Sequence, residues 1–355
     1  MAGVYISWPF CAQKCTYCNF ASGVFPKALE GEYVDALIRE IRAAEWRWTP
    51  DTLYIGGGTP SLIDHETLDR LLRELPGNPW AEATLEAAPG ALAPISPHFN
   101  RVSLGAQSFV DAELRRTGRK HTAAIVEENV AQMRAQGIAN FNIDLIAGLP
   151  GQTAGSWETS LEWVARLDPP HVSVYMLEVD EDSRLGLEIL NDGPRYGARD
   201  VPADEAIVAM YERATERLQE LGIERYEISN FAKPGFESKH NLKYWRLEPY
   251  IGFGADAHSF DNCSRWRNVE TAAAYAAAAD PSIEITRANP DEERFFVGLR
   301  LREGIEPSPS EWLAHEPAIT RFLNQGLFEK DGPRLRLSPR GILLSNEIFQ
   351  EFLAA

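Results

Sequence analysis

The chain is poor in cysteine, with four among 355 residues, and three of the four crowd together as Cys11, Cys15 and Cys18. So few thiols cannot build a disulfide framework, and a reducing cytoplasm is the expected compartment. Positive charge is also scarce. The 35 Lys and Arg face 52 Asp and Glu, leaving a net charge of −17. Phosphate backbones are bound by basic faces, so nucleic acid is not the expected partner, although a local basic pocket is compatible with this balance. No apolar run approaches the roughly 18 to 20 residues of a membrane-spanning helix, which leaves peripheral contact as the mode open to a membrane. The first residues read at once as a strand, without a basic segment leading into an apolar one, so no export signal is expected. With 44% hydrophobic and 25% charged residues, the composition suits one large soluble domain, or such a domain with a smaller appendage.

The cysteines that are present carry the chemistry. Cys11, Cys15 and Cys18 stand at C-x3-C-x2-C spacing, and the remaining one, Cys263, is far along the chain. Cys15 and Cys18 alone form a C-x2-C pair, readable as half a zinc site or a redox dithiol. A zinc site needs four ligands, and no second Cys/His pair with ligand spacing lies nearby. A dithiol has no use for Cys11. Three thiolates can hold three corners of a 4Fe–4S cube and leave the fourth iron open to a small molecule, which separates a chemical site from a closed electron-transfer cluster.

Short β-rich runs alternate with helical patterns. Strands are predicted at 4–8, 52–58, 83–88, 101–107, 142–148 and 172–179. Between them, Val34, Leu37, Ile38 and Ile41, then Leu68, Leu71, Leu72 and Leu75, then Ile125, Val126, Val130 and Met133 repeat at helical spacing, and 157–167 and 202–222 read as further helices. The third of these ends at Gly137, a plausible C-cap. This alternation implies an α/β fold: a parallel sheet of six β/α units curled into a partial (β/α)6, TIM-like barrel over 1–232, with ligands at the C-terminal strand ends. A seventh strand-like run covers 225–231. Residues 233–290 read as a functional loop region and linker with a helix at 271–279. Residues 291–355 read as a small, mostly helical, winged-helix-like domain with a hairpin near 334–337. Such a domain opens a DNA-binding regulator as an alternative, which the acidity opposes.

Polar residues collect at the predicted strand ends. Gly56-Gly57-Gly58-Thr59-Pro60 closes the second strand, where glycines let a backbone approach a ligand closely. Glu86 ends the third strand, Gln107 the fourth, Asp144 lies in the fifth, and Arg119 follows the fourth. Each alone reads as a surface or core-edge residue, but together they ring the predicted cluster.

The cysteine run with Tyr17 before its last thiol, joined to the Gly-Gly-Gly-Thr-Pro run, resembles the radical S-adenosylmethionine (SAM) superfamily. Within it, the chain is similar to the oxygen-independent coproporphyrinogen III oxidase branch along nearly its whole length, through 4–10, 56–60, 103–109, 142–153 and 172–177. The resemblance implies that Cys11, Cys15 and Cys18 hold a 4Fe–4S cluster whose open iron chelates SAM. It also implies that Tyr5 and Tyr17 pack around SAM, that Gly57, Gly58 and Thr59 line its methionyl end, and that Glu86, Gln107, Arg119 and Asp144 contact its polar groups. A reductant for the cluster is implied as a partner.

Two features divide this branch. Its decarboxylating dehydrogenases resemble C-x3-C-x2-C-x-C with an N-terminal extension; this chain has Phe20 at the fourth position, and little length precedes Cys11. The run His240-Asn241-Leu242-Lys243-Tyr244-Trp245, after Tyr226-Glu227-Ile228-Ser229-Asn230-Phe231, resembles instead the branch's haem chaperones. That likeness implies haem as a ligand, His240 as its axial ligand ahead of His258, and haem-accepting proteins, respiratory cytochromes among them, as partners. The alternative is oxidative decarboxylation of coproporphyrinogen III. Ser7 and Ala88 stand where the branch commonly has His and Asn, which bears on whether SAM is cleaved and leaves an enzymatic role open.

Overall fold

In a computed structural model, which describes residues 2–92 and 94–353, the strand alternation expected from the sequence becomes one continuous sheet. Its strands are β1 (Ala2–Trp8), β2 (Pro50–Gly57), β3 (Glu82–Ala87), β4 (Arg101–Gln107), β5 (Asn140–Ala147), β6 (His171–Met176), β7 (Glu224–Arg225), β8 (Asn230–Ala232), β9 (Tyr250–Phe253), β10 (His258–Phe260), β11 (Ser264–Asn268) and β12 (Ser282–Arg287). They lie in the order β12-β11-β10-β9-β1-β2-β3-β4-β5-β6-β8-β7. β1 through β6 run parallel in sequence order, the partial barrel expected.

The crossovers between parallel strands are helical, except from β3 to β4, where none of the described residues is helical: α1 (Lys27–Ala43), α2 (His65–Arg73), α3 (Asp111–Arg116), α4 (Ala123–Ala135) and α5 (Ala154–Leu167), with α6 (Arg184–Leu190) and α7 (Asp204–Glu220) following β6. They cover the outer face of the sheet. The strand residues that point to them are apolar and buried: Val4 and Ile6, Leu53 and Ile55, Ala83 and Leu85, Val102 and Leu104, Ile143 and Leu145, Val172 and Val174. The alternating residues point the other way and are polar: Tyr5 and Ser7, Thr52 and Tyr54, Thr84 and Glu86, Arg101 and Ser103, Asn142 and Asp144, His171 and Ser173. Most (β/α) barrels fill this space with branched apolar side chains. Here the period-2 pattern is reversed, and the lumen is a polar chamber.

Three expectations are corrected. The 225–231 run is not one strand: it turns back on itself, with β7 and β8 antiparallel and β8 antiparallel to β6. The 233–290 region is not a loop and linker. It holds α8 (Lys239–Trp245) and α9 (Ala272–Ala277), and its strands continue the sheet from β9, which pairs parallel with β1 through Gly3↔Tyr250 to Ile6↔Phe253. The 172–179 strand stops at Met176. Short strands with scattered Gly and aromatic residues leave no periodicity to read, because neighbouring strands distant in sequence supply their pairing.

The C-terminal region comprises α10 (Pro290–Gly298), α11 (Pro309–Ala314), α12 (Glu316–Asn324), the hairpin of β13 (Phe328–Asp331) and β14 (Arg334–Leu337), and α13 (Pro339–Leu343) and α14 (Ser345–Gln350). Its buried Phe295, Ile319, Phe322, Leu335 and Phe352 belong to the same apolar cluster as Trp157 of α5, Tyr211 of α7 and Phe231 of β8. The core therefore runs unbroken across the expected boundary at 290.

α8 closes the barrel at the N-terminal strand ends. Buried Glu82 accepts from the backbone amides of Lys239 at 3.0 Å and His240 at 2.9 Å, so a carboxylate sits on the amides of the helix's first turn. Glu82→Ala leaves those amides buried without an acceptor and is expected to lower the unfolding free energy by about 3 kcal/mol, measured by urea denaturation; Glu82→Gln should retain more than half of the lost stability.

Candidate cofactor site

The site begins where β1 ends. Past Trp8 the chain leaves the sheet, yet its backbone remains tied to the neighbouring strand end: Gly58 donates to the Trp8 carbonyl at 2.7 Å and Thr59 to the Phe10 carbonyl at 2.9 Å. Across the loop, Cys11 donates to the Gly23 carbonyl at 2.8 Å and Gly23 to that of Pro9 at 2.8 Å. Buried Thr16 donates to the Thr117 carbonyl at 3.1 Å and accepts from Leu185 of α6 at 2.9 Å. The cysteine loop is thus held from three sides. Gly58 has to be glycine, since a Cβ there would lie 2.7 Å from the Phe10 carbonyl oxygen and 2.9 Å from the Cys11 sulfur.

Cys11, Cys15 and Cys18 are free thiols, each half-buried and open to the barrel mouth. Burial pushes the Cys11 thiol up, opposed by hydrogen bonds from Ser22 and Thr59. Among the described residues no three His, Cys, Asp or Glu side chains converge as ligands of one ion. A cube offers each thiol a separate iron, so three thiols spread along one pinned loop fit a cluster better than a mononuclear metal.

Facing the loop, Glu86 accepts from the Tyr54 hydroxyl at 2.8 Å and from the Gly57 amide at 2.9 Å. Removal from water, with Asp144 nearby, pushes its carboxyl up to about 7. Asp144 is also raised, by burial, against hydrogen bonds from Ser173 and Asn142. Arg119 donates to the Tyr17 hydroxyl at 3.2 Å and to the Gly105 carbonyl at 2.8 Å, fixing Tyr17 over the strand ends. Gln107 closes β4 at φ +69°, beside a register shift, a conformation non-glycine residues seldom adopt outside functional sites. Tyr5 lies in the lumen with its ring centroid 6.1 Å from that of Tyr54. The structure thus brings Cys11, Cys15, Cys18, Tyr5, Tyr17, Gly57, Gly58, Thr59, Glu86, Gln107, Arg119 and Asp144 to one end of one chamber. A ligand carrying an ammonium, a carboxylate and hydroxyl groups could find a partner for each there.

His240 is not among them. It sits in α8, at the opposite end of the barrel, 1% exposed. Its Nδ1 shares a hydrogen bond with the Thr52 hydroxyl at 2.9 Å and its Nε2 one with the Tyr244 hydroxyl at 2.8 Å, so both ring nitrogens are engaged. Burial, then the charges of Lys243 and Arg101, push it down to about 3, a neutral imidazole. Trp245, from the same motif, is covered by the Arg300 guanidinium 4.4 Å from its ring, which joins the barrel floor to the C-terminal region. His258 is exposed on β10, opposite Arg267. Of the residues noted for departing from the branch pattern, Ser7 is buried, with its carbonyl accepting from Tyr33 at 2.8 Å, and Phe20 is 65% exposed at the mouth.

The residues that sequence reasoning missed line the rest of the chamber: Tyr54, Thr84, Arg101, Ser103, Asn142, His171, Ser173 and Tyr175. Their signal was present as polar residues at every second position of otherwise apolar strands.

A pinned triad of thiols at the C-terminal mouth of a partial parallel barrel defines a radical SAM protein, and the radical SAM superfamily profile matches residues 5–164 and the HemN C-terminal domain profile residues 285–344. Membership of that superfamily implies a 4Fe–4S cluster and SAM. The chain is 34% identical to the haem chaperone HemW of Bacillus subtilis, with 99% of each chain covered, and 33% identical to that of Lactococcus lactis, covering 98% of this chain and 96% of the relative. It is 31% identical to Escherichia coli HemW, over 99% of this chain and 98% of the relative. The fold matches that of the E. coli coproporphyrinogen III oxidase HemN with a TM-score of 0.81 at 21% identity, covering 99% of this chain and 89% of that one. The chain belongs to the HemW family.

Two outcomes follow from this geometry. Gly58→Ala is expected to fold but to hold less iron after anaerobic reconstitution than the wild type, read by iron analysis and the cluster's visible absorbance. For Glu86, a folded value near 7 against an ordinary 4.5 means no cost below pH 4.5, a cost that grows as pH rises, and the full cost above 7. In protein without SAM, Glu86→Gln should therefore gain stability over the wild type as pH rises from about 5 to 8, by up to about 3 kcal/mol, seen in denaturant titrations at each pH.

Proposed function

We propose that this protein is a haem chaperone: it binds haem and delivers it to haem proteins, and carries a 4Fe–4S cluster with SAM on the open iron. The observation that carries this reading is near-full-length similarity, at 31–34% identity, to proteins named haem chaperone HemW from three distant bacteria. Cys11, Cys15 and Cys18 would hold the cluster, which when bound supplies one-electron reducing power and an iron with open coordination. Around it the chain's own residues bind and orient. Gly57, Gly58 and Thr59 bring backbone against the methionyl end of SAM, Glu86 and Asp144 receive its ammonium or ribose hydroxyls, and Arg119 forks onto its carboxylate or holds Tyr17 against the adenine. Tyr5 and Gln107 close the sides. The proposed partners are haem, a reductant and haem-accepting proteins such as respiratory cytochromes, in the cytoplasm. No helix among the described residues is long and apolar enough to cross a membrane.

His240 is the proposed iron ligand. To serve, it has to exchange its bonds to Thr52 and Tyr244 for one to iron, which means that α8 leaves its seat at the barrel floor. Haemin added to the reconstituted protein should give a Soret band at near-stoichiometric ratio, lost in His240→Ala. Tyr244→Phe removes the bond competing for Nε2 and should tighten haemin by about fivefold, the equivalent of one net hydrogen bond. A wild type that binds no haemin but converts coproporphyrinogen III anaerobically, with SAM and reductant, would replace this reading by the decarboxylating one.

A further inference from the structure

The floor of the polar lumen holds a cation that forms no close ion pair among the described residues. Arg101, the first residue of β4, is 2% exposed, and its Nε has no hydrogen-bond partner. The buried or half-buried ion pairs among the described residues run through Lys243, Arg265 and Arg300 and leave Arg101 out. Its charge is felt by Tyr54, Glu86, Asp144, His171, Tyr226 and His240, side chains from β2, β3, β5, β6, the turn before β8, and α8. Arg101 opens β4, at the floor end of the lumen.

It is not alone in lacking partners. In the sheet register Arg101 stands between Thr84 of β3 and Asn140 of β5. Thr84 is wholly buried, and its hydroxyl has no hydrogen-bond partner among the described residues; nor does the buried side-chain oxygen of Asn140. Register-matched residues on neighbouring strands point to the same face. Three adjacent strands therefore each turn an unsatisfied polar side chain toward the chamber at one level, below Glu86 and Asp144.

A buried guanidinium without a close ion pair is unfavourable, and an anionic ligand that reaches it relieves that cost. The geometry points to a carboxylate-binding subsite at the barrel floor, formed by Arg101 and Thr84, that receives a carboxylate arm of the ligand occupying the lumen. A guanidinium fork matches the two oxygens of a carboxylate, and the Thr84 hydroxyl beside it can donate once more; the bare Asn140 oxygen is an acceptor and stands outside the subsite. Glu86 and Asp144, on the path from the mouth, disfavour dianions, which selects a monoanionic carboxylate over phosphate or sulfate. Applied to haem, the inference rests on the chaperone reading and assigns Arg101 to a propionate.

The test uses the full chain with reconstituted cluster and SAM. Thermal midpoints are measured in propionate, chloride, sulfate and phosphate at matched ionic strength, for the wild type, Arg101→Met, Arg101→Lys and Thr84→Val. Propionate should raise the wild-type midpoint above the other salts. Arg101→Met should abolish that rise, while Thr84→Val and Arg101→Lys should reduce it. Without ligand, Arg101→Met should melt no lower than the wild type, because it removes an unpaid charge; a midpoint several degrees lower would make Arg101 a structural residue and overturn the proposal, as would a propionate effect indifferent to Arg101. A parallel titration compares haemin with its dimethyl ester. The wild type should favour the free acid several-fold and Arg101→Met should not. Equal preference in both proteins removes the propionate assignment and leaves haem binding standing, whereas an Arg101-dependent propionate effect in a protein that binds no haemin keeps the subsite and rejects the chaperone reading.

Discussion

The backbone ladder between β1 and β2 does not stop where the strands do, and the rest of the site depends on that continuation. Gly58 and Thr59 reach the carbonyls of Trp8 and Phe10, so the segment that starts the cysteine loop is held by the same parallel pairing that built the sheet. Because the contact is backbone to backbone, its tolerance is set by one missing Cβ at Gly58. The loop's other ties, to Thr117 and Leu185, then position the two remaining thiols against elements that follow β4 and β6. A loop pinned at three places keeps its donors in place without a metal, which reduces the ordering cost when one binds.

The second constraint is the reversed polarity of the barrel. Apolar residues face the helices and polar ones face the lumen, so the fold is stabilised from outside while the interior is lined by polar groups. A polar interior is costly, and the structure answers with local networks. Asn142 donates to Ser103 and Asp144, His171 bridges Asn142 and Tyr226, and Glu82 receives the amides at the start of α8. Where these networks fail, at Thr84, Arg101 and Asn140, the failures share one level of the sheet. Natural interiors leave few polar groups unpaired, and this cluster is the ground for the subsite proposed there.

The histidine motif shows how one sequence signal can carry two meanings. His240, Tyr244 and Trp245 form the floor of the barrel and its junction with Arg300, and both ring nitrogens of His240 are used within that floor. A ligand role for the same histidine requires a second state in which α8 has moved. Glu82, Thr52 and Tyr244 set the energy gap between those two arrangements, so they belong to any account of how haem would enter.

Much of this was legible in the sequence. The six parallel strands, the helices between them and the residues at the strand mouths follow from local pattern: period-2 runs, amphipathic helices, and a cysteine spacing whose chemistry is fixed by ligand geometry. The sequence also held the lumen, as polar residues alternating with apolar ones, although no single residue such as Arg101 announces a role in that pattern. What only the tertiary structure decided involves partners distant along the chain. β9 joins β1 across 247 residues, α8 seats on Glu82 across 158 residues, and both nitrogens of His240 are consumed by Thr52 and Tyr244. Spacing determines what a short segment can bind; burial and long-range pairing determine which of its atoms are free to do so.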